Sequence, residues 1–130
     1  MKNEKSCGAM IIEGNKVLVI QQKKSGFYGF PKGHVEENET EAETAVREVK
    51  EETGIDIKVL EDKRYFMKFV QGGDINKEVV FFIARPLNTE GLSMQEKEIK
   101  DIKWVDINEV ENILSFENIK NLWLEAKIDL

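Results

Sequence analysis

Two apolar runs open the chain, Ser6 to Ile12 and Lys16 to Gln22, on either side of Glu13-Gly14-Asn15. Aliphatic residues fill both runs, and Gly-Asn favours a tight turn, so together they predict a β-hairpin. From Lys23 to Lys32 the pattern lapses, and Gly26, Gly29 and Pro31 mark a loop. Near Thr40 the period lengthens to that of a helix, with Ala42, Ala45, Val46 and Val49 as its buried stripe. Thr40 and Glu43 have capping-box spacing, and Gly54 fits the left-handed position past a helix end. Three further runs, Ile55 to Leu60, Lys63 to Val70 and Glu78 to Arg85, read as strands, with Gly72-Gly73-Asp74 joining the last two. A short strand is expected over Ile102 to Val105, then helices over Asp106 to Leu114 and Ser115 to Lys127. In the last helix Phe116, Ile119, Leu122, Trp123 and Ala126 share one face, as core packing requires. Strands on both sides of a helix, followed by a closing helix, predict an α/β sandwich.

Composition narrows the picture without changing it. The 130 residues contain no repeat and no linker, which implies one domain over residues 1–130. A net charge of −6 argues against broad electrostatic binding to nucleic acid, so no stable nucleic-acid complex is expected. No apolar run approaches the ~20 residues of a membrane span, and Met1 to Met10 lacks the apolar stretch of a signal peptide. The expectation is a cytoplasmic protein with no membrane partner. The single cysteine, Cys7, is read as a small hydrophobe in a buried strand.

Chemistry concentrates between Gly33 and Ile55. On the expected helix, Glu48, Glu51 and Glu52 stand at i, i+3 and i+4, beside the apolar stripe. Hard divalent cations take oxygen ligands, so this cluster suits Mg²⁺, with Mn²⁺ as an alternative. Glu48 and Glu52 are the preferred direct ligands, and Glu51 binds a second ion or orients water. Gly33 allows its backbone carbonyl to approach and complete the shell. Arg47 is expected to pair with Glu39 and Glu43 rather than to touch substrate.

The same stretch resembles the signature of the Nudix hydrolase family. It carries Gly33, Glu39, Arg47-Glu48, Val49, Glu51-Glu52, Gly54 and Ile55 at that signature's spacing. With average residue frequencies, chance agreement at all nine positions is on the order of once in ten million for a chain of this length. The resemblance implies a mixed central sheet between helices, an α/β/α sandwich. It implies metal binding by Gly33, Glu48, Glu51 and Glu52, and an Arg47 that orients glutamates through ion pairs. In related enzymes a glutamate six residues before a tryptophan binds metal or acts as general base. Glu98, before Trp104, has that spacing, with Glu96 as the lesser alternative. Glu51 and Glu98 are therefore the expected catalytic carboxylates.

The run Phe30-Pro31-Lys32-Gly33-His34-Val35-Glu36, with Ser6-Cys7-Gly8-Ala9, is similar to the asymmetric dinucleoside tetraphosphate hydrolase branch. That likeness implies a small nucleotide substrate, foremost diadenosine tetraphosphate cleaved to ATP and AMP. Other nucleoside-diphosphate compounds are the alternatives: an RNA 5′-triphosphate end, an oxidised nucleoside triphosphate or a nucleotide sugar. A third reading is a non-catalytic nucleotide sensor. Substrate contacts are expected from Tyr28 by stacking, from Lys32 and His34 to phosphate, and from Arg64 with Lys63. Phe30 is expected to pack its loop. Where that branch often carries a base-stacking tyrosine, this chain has Gln71, leaving Tyr65, Phe66 or Phe69 as substitutes.

Overall fold

The computed structural model describes all 130 residues. Its elements run β1 (Lys2–Glu13), β2 (Lys16–Gln22), β3 (Tyr28–Gly29), β4 (Lys32–His34), α1 (Glu41–Thr53), β5 (Asp56–Gln71), β6 (Ile75–Asn88), β7 (Ile99–Asp106), α2 (Val110–Ile113) and α3 (Glu117–Ile128).

The hairpin forms as expected, Ile12 opposite Val17 and Glu13 opposite Lys16. Beyond that corner β2 turns to pair antiparallel with β7, while β1 pairs parallel with β6. β5 and β6 are antiparallel neighbours, so the sheet is mixed, in the order β3-β2-β1-β6-β5. Both faces are covered. Met10 and Ile12 point to the side of Leu122, Trp123 and Ala126 of α3. Ala9 and Ile11 point to the side of Val49 of α1. Burial on both faces explains why β1 and β2 read as continuous apolar runs instead of alternating ones. Cys7 lies wholly buried with Ala45, Val80 and Phe82, and burial pushes its thiol up to about 11. No helix is long and apolar enough to cross a membrane.

Several boundaries differ from expectation. β5 is one strand, not two; its register shifts between Leu60 and Arg64, which breaks the sequence pattern there without ending the strand. The Lys23–Lys32 loop contains the two-residue β3, and β4 follows it. Of the helix expected over Asp106 to Leu114, only Val110–Ile113 forms, after a turn in which the Asp106 carboxylate accepts from the Asn108 N–H (2.9 Å). Phe116 precedes α3 and is 44% exposed, outside the core face assigned to it.

In α1 the capping box is present: the Glu43 N–H donates to Thr40 Oγ1 (3.1 Å) and the Thr40 N–H to Glu43 Oε1 (2.9 Å). Gly54 ends the helix at φ 75°, a conformation that favours glycine. The buried residues are Thr44, Ala45, Val49, Glu52 and Thr53, while Val46 is exposed. Glu52 thus lies on the stripe and not beside it. Ala45, Val49 and Glu52 are spaced i, i+4, i+7, one line along a helix of 3.6 residues per turn, and Val46 stands about 100° away.

Trp123 is fully buried and packs against Phe30. We expect Trp123→Ala to cost about 3–5 kcal/mol in urea unfolding. A loss under about 1 kcal/mol would mean that α3 does not close this core.

Candidate active site

β4 lies antiparallel to β1, with Gly33 opposite Cys7, and its backbone runs against α1. A Cβ at Gly33 would overlap the Glu48 carboxylate, so only glycine lets the strand come this close. One turn further along α1, Glu52 is 4% exposed and accepts the Lys32 backbone N–H at 2.9 Å. Burial, and then repulsion from Glu48, raises the Glu52 carboxyl to about 8, and Glu98 pushes the same way. The Glu48 carboxyl is also raised, chiefly by burial.

Arg47 ties this region together. Its Nε and Nη2 hold the two oxygens of Glu39 at 2.7 and 3.0 Å, and Nη2 also donates to the His34 carbonyl at 2.9 Å. Nη1 reaches Glu48 at 2.8 Å and Glu51 at 3.3 Å. Glu39 accepts further from Thr44 Oγ1 (2.6 Å), and its Arg47 bond holds its carboxyl down to about 2. Glu43 is not a partner of Arg47, because its carboxylate caps the Thr40 N–H.

Glu98 arrives from the connection after β6. That connection folds over the end of α1: Ser93 N–H donates to the Thr53 carbonyl (2.8 Å) and Gln95 N–H to the Glu52 carbonyl (3.2 Å). These bonds satisfy carbonyls that a helix end otherwise leaves open. The Lys23 N–H then holds the Glu98 carbonyl at 2.7 Å. Glu96 offers its carbonyl to Lys23 Nζ (3.1 Å) and does not line the cleft.

The cleft so formed measures about 330 Å³. Lys32, Gly33, His34, Glu52 and Glu98 line one part of it, and Phe27, Tyr28 and Phe116 another. Ser6 also lines it, buried, and its hydroxyl has no partner within the protein. Burial, then Lys77, lowers the Lys32 ammonium. Tyr28 is half-buried with Lys103 Nζ 4.8 Å from its ring centre, and its N–H donates to Ser115 Oγ (2.8 Å). Phe30 packs in the core against Phe81 and Trp123.

Arg64 is not brought to the cleft. Its fork holds Glu41 at 2.7 and 2.9 Å, above the Phe66 ring. Lys63 reaches only the Asp129 carbonyl, at 3.4 Å. Of the three aromatic substitutes, Tyr65 is buried with its hydroxyl on Asp129, and Phe66 stands beside Arg64. Phe69 lines a second cavity, of about 600 Å³, together with Lys68 and Lys77. Gln71 ends β5, exposed.

Lys77 is a cation that sequence reasoning missed. Its Nζ lies 3.4 Å from His34 Nε2 and 3.7 Å from Glu4, and it lines the second cavity while His34 lines the first. No motif marks it, but strand alternation puts Lys77 on the face of Val79, Phe81 and Ile83, the side of α3.

The donor set fits a hard divalent cation: the Glu48 carboxylate lies against the Gly33 backbone, Glu52 and Glu98 line the adjoining cleft, Glu51 shares Arg47 with Glu48, and the carboxyls of Glu48 and Glu52 are held above their ordinary range. No three of these side chains converge on one point as they stand, because Glu48 and Glu51 turn to Arg47 and Glu52 to the Lys32 N–H.

A NUDIX domain model matches residues 2–126. Nudix hydrolase 2 of Arabidopsis thaliana is 37% identical over 113 residues, covering 81% of this chain and 40% of that protein. The mRNA-decapping enzyme subunit 2 of Saccharomyces cerevisiae is 28% identical over 116 residues, 87% of this chain and 12% of its own length. The chain therefore spans well under two thirds of these relatives. Among solved structures, the C. elegans Ap4A hydrolase binary complex superposes with a TM-score of 0.84 at 24% identity, covering 97% of this chain and 96% of that one.

The raised Glu52 carboxyl has a thermodynamic consequence. Between its ordinary value of 4.5 and about 8, the folded chain keeps a proton that the unfolded chain has released. Stability therefore falls as pH rises through that window. In chelator-treated buffer, Glu52→Gln is expected to melt above wild type at pH 8, with the gap closing toward pH 4.5. Mg²⁺ should narrow the gap at pH 8 by stabilising wild type alone. Equal melting temperatures across this range would exclude the proton from Glu52.

Proposed function

The chain belongs to the Nudix family, and from that premise we propose that it is a Mg²⁺-dependent nucleotide pyrophosphohydrolase whose favoured substrate is diadenosine tetraphosphate, cleaved to ATP and AMP. One observation carries this reading. Glu52 and Glu98 line one cleft with Lys32 and Gly33, Glu48 stands against the Gly33 backbone, and Lys77 extends the cationic side beyond His34. A long phosphate chain needs such a row of cations. The fold likeness to the C. elegans Ap4A hydrolase and the Phe30-Pro31-Lys32-Gly33-His34 run support the choice of substrate.

Glu48 and Glu52, with the Gly33 carbonyl, would hold the metal, and Glu51 would hold a second ion or orient water. Bound there, Mg²⁺ supplies charge neutralisation on phosphate and a lowered pKa for water. Glu98 accepts the proton of the attacking water at the open side of the cleft. Lys32 faces the departing phosphate oxygens. Arg47 is a positioning residue: with Glu39 it fixes the helix against the His34 carbonyl and does not touch substrate. The likeness to the yeast decapping subunit favours a second reading, hydrolysis at a capped or triphosphorylated RNA end. The net charge of −6 weighs against it.

With diadenosine tetraphosphate and Mg²⁺, anion-exchange chromatography should resolve ATP and AMP in equal amounts, both lost with EDTA. Glu98→Gln should lower kcat by ~10²–10⁴-fold with little change in KM. Cleavage of a capped or triphosphorylated RNA in preference to the dinucleotide would favour the second reading. Undiminished kcat in Glu98→Gln would remove Glu98 as the base.

A further inference from the structure

A hydroxyl on the floor of the cleft has nothing in the protein to bond. Ser6 is 1% exposed and lines the cleft, and its Oγ has no hydrogen-bond partner. One other buried side-chain atom shares that condition, Gln95 Oε1, and Gln95 does not line the cleft. Strand register fixes what surrounds Ser6. It stands opposite His34 of β4 and beside Val79 of β6. Side chains paired across a sheet share a face, and so do residues two apart along a strand. Lys32, opposite Gly8, and Lys77, beside Glu4, therefore lie on the same face as Ser6. Ser6 is on the middle strand, with Lys32 and His34 on one flank and Lys77 on the other. The flanks meet across β1, since Lys77 Nζ lies 3.4 Å from His34 Nε2. Lysine ammonium groups only donate, so Lys32 and Lys77 offer the Ser6 O–H no acceptor. The Glu4 carboxylate, two residues before, is turned to Lys2 and Lys77.

We propose that Ser6 is a substrate-binding residue, whose hydroxyl donates to a phosphate oxygen held among Lys32, His34 and Lys77. The proposal rests on the reading above that a phosphate chain occupies this cleft. The surroundings lack one thing, an acceptor that several donors can share, and a phosphate oxygen is such an acceptor. A buried donor with no partner costs free energy, and the folded chain carries that cost until an acceptor arrives. The bond formed on binding is therefore worth more than the same bond at an exposed serine. Selectivity follows from the same cost. A ligand with no oxygen at this point leaves the hydroxyl buried and unpaired, and is disfavoured. Lysine reads charge over a range of positions, whereas a short, fixed hydroxyl reads where the oxygen is.

The test uses methylenediphosphonate, a non-hydrolysable pair of bridged phosphates, in calorimetry on the full chain with Mg²⁺. Ser6→Ala should weaken this probe by about ten- to a hundredfold. Without ligand the same variant should melt no lower than wild type, because no bond within the protein is lost and an unpaired hydroxyl is removed. Mg²⁺ alone should bind wild type and variant equally. Ser6→Cys keeps side-chain bulk with only a weak donor and should show the same loss of the probe, which separates the hydrogen bond from packing. A lower ligand-free melting temperature in Ser6→Ala would mean that the hydroxyl serves the fold, and weaker binding of Mg²⁺ alone would put it on the metal side; either overturns the assignment. Unchanged affinity for methylenediphosphonate in the variants, or no binding of it by wild type, overturns it as well. Selective loss of the probe beside wild-type inactivity on diadenosine tetraphosphate would keep Ser6 as the phosphate donor and move the substrate to another compound with a phosphate chain.

Discussion

A carboxylate is buried where a helix meets a strand, and much of this molecule is arranged around it. Glu52 sits on the apolar line of α1 with only a backbone N–H as a close partner. An ionised group in such a place is costly unless a cation or a proton compensates it. Arg47, the nearest strong cation on the helix, is held by Glu39, Glu48, Glu51 and the His34 carbonyl. That need for a compensating cation suits the cluster to a divalent ion, and burial, reinforced by repulsion among neighbouring carboxylates, raises the carboxyls of both Glu48 and Glu52.

The scaffold holds this unfavourable arrangement by covering the sheet on both faces. β1 and β6 supply buried side chains to α1 on one side and α3 on the other. With the sheet fixed, β4 can be pressed against Glu48 at Gly33. The same economy of backbone bonds places Glu98. The open carbonyls at the end of α1 are filled by Ser93 and Gln95 of the connection that carries it, so finishing the helix and delivering the carboxylate are one structural event.

Much of the site was legible because its chemistry is local. Gly33, Glu39, Arg47, Glu48, Glu51, Glu52 and Gly54 lie within one loop and one helix, and fixed helical spacing sets their relation. Even the burial of Glu52 was readable from its i+3 relation to Val49, had the carboxylate not been assumed to avoid the stripe. Arg64 shows the opposite case. A cation beside a candidate site reads as a phosphate contact, but the strand turns Arg64 to the face where Glu41 waits.

The sequence by itself determined the family, the α/β sandwich with its mixed sheet, and the glutamate helix with both of its caps. Each of these depends on neighbours a few residues apart, or on an apolar period that any packed fold must respect. Tertiary structure alone decided that Lys77 stands beside His34, that Phe116 reaches Phe27, and that Arg64 is withheld from the cleft. Those pairings join residues far apart in the chain. Their geometry depends on strand register, on the shift in β5 and on how α3 docks, none of which leaves a periodic mark in the order of residues.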